Sequence, residues 1–253
     1  MDRLKDRVVI ITGAGAGLGK GYAIAMAKEG AAIVVNDFVA DLANGVVDEI
    51  KAMNGKAVAC IGGVGAKETA DNLVATAVKE FGTVHALINN AGITRDNLLV
   101  RMTEQQWDDI MTVHLRGAFL NTQAVVKYII ENKVAKGRII NITSPAGLYG
   151  NIGQANYSTA KAGIIGLTKS NSRELARYGI CVNAIAPAAK TAMTEAIPEK
   201  PRQMLYDKFA KESTIQKMGE PEDVAPALVF LVSEESQYIT GQIVAVAGSI
   251  GIM

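Results

Sequence analysis

Short runs of aliphatic and β-branched residues alternate along this chain with longer segments whose apolar positions recur at helical spacing. The runs Val8–Thr12, Ala32–Asn36, Val58–Ile61, Ala86–Asn89, Arg138–Ile142, Cys181–Ile185 and Ile243–Ala247 predict strands. The first six are nearly continuously apolar, as strands covered on both faces should be. Between them, helices are predicted near Leu18–Glu29, Asp41–Met53, Lys67–Phe81, Thr103–Asn132, Ala155–Tyr178 and Glu222–Ser233. Thr103-Glu104-Gln105-Gln106 has the form of a capping box, and Gly30, Gly55, Gly82 and Gly179 fall where helices should end. Strand–helix alternation of this kind predicts an α/β fold, a doubly wound parallel sheet of about seven strands with right-handed crossovers. No low-complexity linker divides residues 1–253, so a single domain is expected.

Pro187 to Pro221 breaks the rhythm, with Pro198, Pro201 and mixed charges between the sixth strand and the last helix. In a doubly wound sheet this segment follows the carboxyl end of a strand, where ligands bind. A lid over residues of about 188–220 and a plain connecting helix pair are the two readings.

Composition narrows the classes. The 26 basic and 25 acidic side chains leave a net charge of +1, without the basic excess that nucleic acids or anionic membranes attract. Cys60 and Cys181 are too few and too far apart for a disulfide framework or a zinc site, and both lie in apolar runs, so buried free thiols are expected. The uncharged stretch Ile139–Ala160 is long enough on paper to span a bilayer. It contains Asn141, Thr143, Ser144, Asn151, Gln154, Asn156 and Ser158, which hydrocarbon would not accept. The charged start, Met1-Asp2-Arg3-Leu4-Lys5-Asp6-Arg7, is not a signal peptide.

Candidate chemistry begins at Val8–Gly19, a strand that runs into a glycine turn and opens a helix. Its pattern is Thr12, Gly13, Gly17 and Gly19 rather than the usual G-x-G-x-x-G, whose last position would fall on Leu18. Such a turn lets a pyrophosphate approach the free N–H groups of a helix start. Asp37 ends the second strand, where an acid suits ribose hydroxyls and repels a 2′-phosphate. Ala16, Asn36 and Phe38 add no cation, so NAD(H) is expected over NADP(H).

Tyr157 and Lys161 stand four residues apart, on one helix face. Ser144 closely follows the strand Arg138–Ile142, and Asn89-Asn90-Ala91-Gly92 ends the fourth strand at the same edge. With the glycine turn, these residues resemble the short-chain dehydrogenase/reductase family over essentially the whole chain. The resemblance implies a single NAD-binding domain of Rossmann type, with Tyr157 as acid–base group, Lys161 on the nicotinamide ribose, and Ser144 on the substrate oxygen. The Lys161 ammonium and an oxidised nicotinamide would favour the Tyr157 phenolate. It also places Thr12, Gly13, Gly17, Leu18, Gly19, Asp37, Asn90, Ala91, Gly92, Pro187 and Thr191 around the cofactor.

The chain departs from the family in three places. His114, in Val113-His114-Leu115-Arg116-Gly117, stands where an asparagine usually serves a water-mediated proton relay; a relay role and a merely packed histidine are both open. Gly62-Gly63-Val64-Gly65 replaces the acid expected near adenine, and Pro187-Ala188 replaces Pro-Gly. These departures, with Val35-Asn36-Asp37, Tyr149-Gly150-Asn151, Gly153-Gln154-Ala155-Asn156-Tyr157 and Val224-Ala225-Pro226, resemble the (3R)-hydroxyacyl-CoA dehydrogenase branch of peroxisomal multifunctional enzymes. A secondary alcohol, foremost a 3-hydroxyacyl-CoA thioester, is the substrate this implies. The alternatives are a hydroxysteroid or cyclic alcohol, a 3-oxoacyl-carrier-protein reductase (generally NADPH-linked), and an idle NAD-binding sensor.

The lid carries Lys190, Lys200, Arg202, Lys208, Lys211 and Lys217 against Glu195, Glu199, Asp207, Glu212 and Glu220, no clear basic excess for the phosphates of CoA. Met193, Met204, Leu205, Tyr206, Phe209 and Met218 suit an acyl chain, a ring system or simply a packed lid. Family resemblance implies a homodimer or homotetramer through the two long helices. The end Gly251-Ile252-Met253 is not a peroxisomal Ser-Lys-Leu type, so a cytoplasmic protein without nucleic-acid or membrane partners is expected.

Overall fold

A computed structural model of the protein describes residues 2–195 and 197–248; the side chains of Ala192 and Met193, and the end Gly251-Ile252-Met253, lie outside the described residues. Every expected strand is present: β1 Val8–Thr12, β2 Ala32–Asp37, β3 Lys56–Ile61, β4 Ala86–Asn89, β5 Arg138–Ile142, β6 Cys181–Pro187 and β7 Ile243–Val246. They form one parallel sheet in the order β3-β2-β1-β4-β5-β6-β7. The helices are α1 Gly17–Lys28, α2 Ala40–Ala52, α3 Lys67–Phe81, α4 Glu104–Ile110, α5 Gly117–Glu131, α6 Pro145–Tyr149, α7 Ala155–Leu175, α8 Ala192–Glu195, α9 Glu199–Glu212 and α10 Pro221–Val232.

The continuous apolar runs follow from burial on both faces. Successive strand residues point to opposite sides, so Val9, Ile11, Ile33 and Val35 join α1, α2 and α10 in one core layer. Val8, Ile10, Ala32 and Val34 join α3 and α5 in the other. β3 departs from this expectation: at the sheet edge only Ala57 and Cys60 are fully buried, and Ile61 is exposed. Cys60 and Cys181 are free and buried, as expected. Left-handed turns follow helices at Gly30, Gly82 and Gly179, but after α2 it is Asn54 and not Gly55 that takes this conformation.

Two differences bear on the site. The long helix expected over Thr103–Asn132 is interrupted: α4 and α5 are joined by a π-helical turn over Met111–Arg116, whose wider winding turns His114 inward. Thr103 does start α4 with a capping box, its hydroxyl accepting from the Gln106 N–H at 3.2 Å. The uncharged stretch after β5 adds α6, which packs so tightly on α7 that a side chain at Gly147 would meet the Lys161 backbone at 2.7 Å. No helix among the described residues is long and apolar enough to cross a membrane.

Strand order reverses between β1 and β4, which opens a crevice at their carboxyl ends.

Candidate active site

The glycine turn leaves β1 directly into that crevice. Gly13 has φ +61°, and a Cβ there would lie 2.7 Å from the Ala91 backbone; at Gly19 it would collide with the Gly13 carbonyl. The turn is therefore packed backbone against backbone. Gly19→Ala is expected to cost about 1–3 kcal/mol through overpacking, read as a melting temperature lower by several degrees; an unchanged melting temperature would show that the turn has slack.

Two polar side chains hold the turn in register with β4. The Thr12 hydroxyl accepts from the N–H groups of Asn90 and Ala91, both at 3.1 Å, and donates to the Ile88 carbonyl at 3.3 Å. The Asn90 amide donates to the carbonyls of Thr12 and Gly13, both at 2.9 Å. The start of α1 has no side-chain cap and no acid in its first turn. Its first N–H groups are thus left for an anion from outside the chain.

Asp37 closes one end of the cleft. Its carboxylate accepts from the N–H of Gly15 at 2.9 Å and of Val39 at 3.0 Å. A Cβ on Gly15 would fall 2.8 Å from that carboxylate, so a glycine is what permits the contact.

At the other end, β5 and α7 bring three predicted side chains together. Ser144 starts α6, its hydroxyl accepting from the Ala146 N–H at 3.2 Å. Lys161 is buried, and its ammonium donates to the Ile142 carbonyl at 2.8 Å and lies 5.6 Å from the centre of the Tyr157 ring. His114 meets the same ring edge-on, with centroids 5.2 Å apart. Asn156, which is fully buried, fixes the start of α7 by donating to the carbonyls of Arg95 and Gln106 at 3.0 Å and accepting from the Tyr157 N–H at 2.8 Å.

Burial dominates the ionisations of these groups. Burial pushes the Tyr157 phenol up to about 12, against the lowering effect of the Ser144 hydrogen bond, and Asp96 adds to the rise. Burial also pushes Lys161 down to about 7, so its positive charge is not a dominant influence on the phenol. His114 falls to about 3 through burial and the neighbouring Lys161. The site therefore holds a protonated phenol and a neutral imidazole at neutral pH.

These groups share a cleft of about 290 Å³, which is lined by Gly13, Leu18, Gly19, Asp37, Asn90, Gly92, His114, Ser144, Tyr157, Lys161, Pro187 and Thr191. Thr12 and Ala91 border a small cavity behind it instead, and Gly17 lies at the start of α1 outside the lining. Leu42, Ile142 and Thr143 also line the cleft, though no sequence motif marked them, as does Ala16, named in the sequence only for its lack of charge. Among the described residues, Asp37 and Lys161 are the only charged side chains in the lining, one toward each end.

The profile described as short chain dehydrogenase matches residues 7–202. A 3-oxoacyl-(acyl-carrier-protein) reductase of Thermotoga maritima is 41% identical over 251 residues, covering 99% of this chain and 100% of that protein. A subunit of a hydroxy(phenyl)methylsuccinyl-CoA dehydrogenase from Thauera aromatica is 41% identical, covering 97% and 96%. The peroxisomal hydratase-dehydrogenase-epimerase of Saccharomyces cerevisiae is 43% identical over 98% of this chain, which spans 27% of that longer protein.

Proposed function

The chain belongs to the short-chain dehydrogenase family and is an oxidoreductase acting on CH–OH groups, and we propose that it uses NAD(H) to interconvert a 3-hydroxyacyl-CoA thioester and its 3-oxo partner. The observation that carries this reading is the meeting of Ser144, Tyr157 and Lys161 in the cleft that also holds the uncapped start of α1 and the Asp37 carboxylate.

The bound nicotinamide would supply or accept the hydride. Gly13, Leu18 and Gly19 would take the pyrophosphate on backbone N–H groups, Asp37 the adenosine ribose, and Lys161 the nicotinamide ribose. Asn90 and Thr12 act through the turn they hold in place. Gly92 leaves room for the His114 ring, since a Cβ there would meet the imidazole at 2.6 Å. In the reducing direction Tyr157 gives its phenolic proton to the ketone oxygen while Ser144 hydrogen-bonds that oxygen and shares its developing charge. The high phenol pKa suits this donor role at neutral pH. In the oxidising direction the same oxygen must first lose its proton, so oxidation gains as pH rises.

Thioester substrates are supported by the activities of the Thermotoga and Thauera relatives, which act on 3-oxoacyl-carrier-protein and on an acyl-CoA. The lid adds no net attraction for CoA: Lys190 pairs with Glu220, Arg202 with Glu195 and Lys217 with Asp223. Leu205 and Phe209 are half-buried and Met204 is exposed on α9, the surface that would meet an acyl chain. The second reading, reduction of a 3-oxoacyl-carrier-protein, is favoured by the full-length match to the Thermotoga reductase. The proposal extends to a cytoplasmic homodimer or homotetramer built across α5 and α7.

The test is NAD reduction over matched alcohols: 3-hydroxyacyl-CoA thioesters of both configurations, steroid alcohols and cyclic alcohols, with 3-oxoacyl-carrier-protein assayed in reverse. Turnover of one 3-hydroxyacyl-CoA configuration is expected. Activity confined to alcohols without CoA removes the leading substrate, and activity confined to the carrier-protein thioester selects the second reading.

A further inference from the structure

One aromatic residue of α9 stands apart from its apolar neighbours. Met204 is 66% exposed, whereas Tyr206 is only 8% exposed. The Lys190 ammonium lies over the Tyr206 ring, 5.4 Å from its centre. The Tyr206 hydroxyl lies 2.7 Å from Glu195 Oε1 and 3.1 Å from Thr194 Oγ1, both on α8. A buried phenol committed to two polar partners does more than fill space. Its partners lead back to the cleft, because Thr194 is hydrogen-bonded to Thr191, and Thr191 lines that cleft.

The proton directions follow from the chemistry of each group. A carboxylate only accepts, so the Tyr206 O–H donates to Glu195 along the shorter contact. Burial, joined by that carboxylate, raises the phenol above its ordinary range against the Thr194 hydrogen bond, so the proton stays on the tyrosine. The Tyr206 oxygen then accepts from the Thr194 hydroxyl, since the reverse would set two oxygen lone pairs 3.1 Å apart. Thr194 Oγ1 accepts in turn from the Thr191 N–H at 2.9 Å, and Thr191 Oγ1 accepts from the Thr194 N–H at 3.1 Å. Arg202, also on α9, holds Glu195 from its other side, donating to the Glu195 carbonyl at 2.8 Å and pairing with Oε2 at 3.2 Å.

Thr191 follows β6, which lies beyond β5 from the β2 end that carries Asp37. It therefore borders the end of the cleft that holds Ser144, Tyr157 and Lys161. We propose that Tyr206 is a positioning residue for that end: through Thr194 and Glu195 its hydroxyl fixes Thr191, so that α9 sets the geometry in which a nicotinamide is held. The consequence for the cofactor rests on the proposed NAD(H) reading; the series of hydrogen bonds itself does not.

The experiment compares the protein with Tyr206→Phe, which keeps the buried ring and removes only the hydroxyl. Without cofactor, hydrogen exchange at the Thr191 amide, followed by NMR, is expected to be about fivefold faster in the variant, the worth of one ordinary hydrogen bond. Equal exchange overturns the assignment, whatever the protein turns over. NADH affinity is expected to fall by a similar factor, about fivefold, while affinity for ADP-ribose, which lacks the nicotinamide, stays unchanged. Equal loss for both ligands, or no loss for NADH, overturns the positioning role. If Tyr206→Phe fails to fold, Thr194→Val takes its place, with Thr194→Ser, which keeps the hydroxyl, expected to match the unmodified protein. A serine as damaging as the valine overturns the role of that hydroxyl. Failure of the unmodified protein to bind NADH would defeat the proposed function, while the amide exchange would still decide whether Tyr206 fixes Thr191.

Discussion

Tyr157→Phe is expected to lower turnover in both directions by about 10³-fold, within the range for removal of a positioned acid–base group, while NADH binding stays nearly intact. The substitution is clean because the ring is held by its edges and faces. His114 meets it edge-on at 5.2 Å and the Lys161 ammonium lies 5.6 Å from its centre. A phenylalanine ring keeps those contacts and loses only the oxygen. That oxygen belongs to a phenol raised to about 12 by burial, with Ser144 pulling the other way. The unmodified protein should therefore reduce its ketone across neutral pH without any deprotonation, and oxidise its alcohol faster as pH rises. Residual turnover in the variant should show no such rise. Stopped-flow kinetics in both directions and fluorescence titration of NADH check it; turnover above a tenth of wild type would remove Tyr157 from the proton transfer.

The sheet was legible because its strands carry apolar residues on both sides: Val9 and Ile11 feed one core layer, Val8 and Ile10 the other. The same logic failed at β3, since a sequence run does not reveal that a strand lies at the sheet edge. Residues whose chemistry depends on the side chain, such as Asp37, Ser144, Tyr157 and Lys161, were found by spacing, and the fold brings all four to one cleft. What spacing missed acts through backbone geometry. The π-helical turn at Met111–Arg116 has no residue signature, yet it decides where His114 points. Thr12, expected beside the cofactor, ties the ends of β1 and β4 together, which spacing alone does not show. The high phenol pKa follows from burial, which only the folded chain shows, whereas an opposite charge four residues away is visible in the sequence.

Asp37→Asn is expected to raise the ratio of kcat/KM for NADP to that for NAD by about fivefold or more, because two unit charges some 4 Å apart repel by about 1–4 kcal/mol between bulk water and a protein surface. Asparagine is the informative replacement. The carboxylate is held by the N–H groups of Gly15 and Val39, at 2.9 and 3.0 Å. The two N–H groups bond to different oxygens, so an amide keeps one of the two bonds, whereas alanine would lose both and confuse charge with structure. Among the described residues, Asp37 is the only acid lining the cleft, and the only cation in the lining, Lys161, belongs to the proposed catalytic cluster. No other described residue of the lining would decide between a ribose hydroxyl and a 2′-phosphate by charge, so removing this one charge should move the preference. Rates with each cofactor at saturating substrate give the ratio directly. A wild-type protein that already favours NADP tenfold would overturn the NAD assignment, and an Asp37→Asn protein with an unchanged ratio would show that this carboxylate does not set the choice.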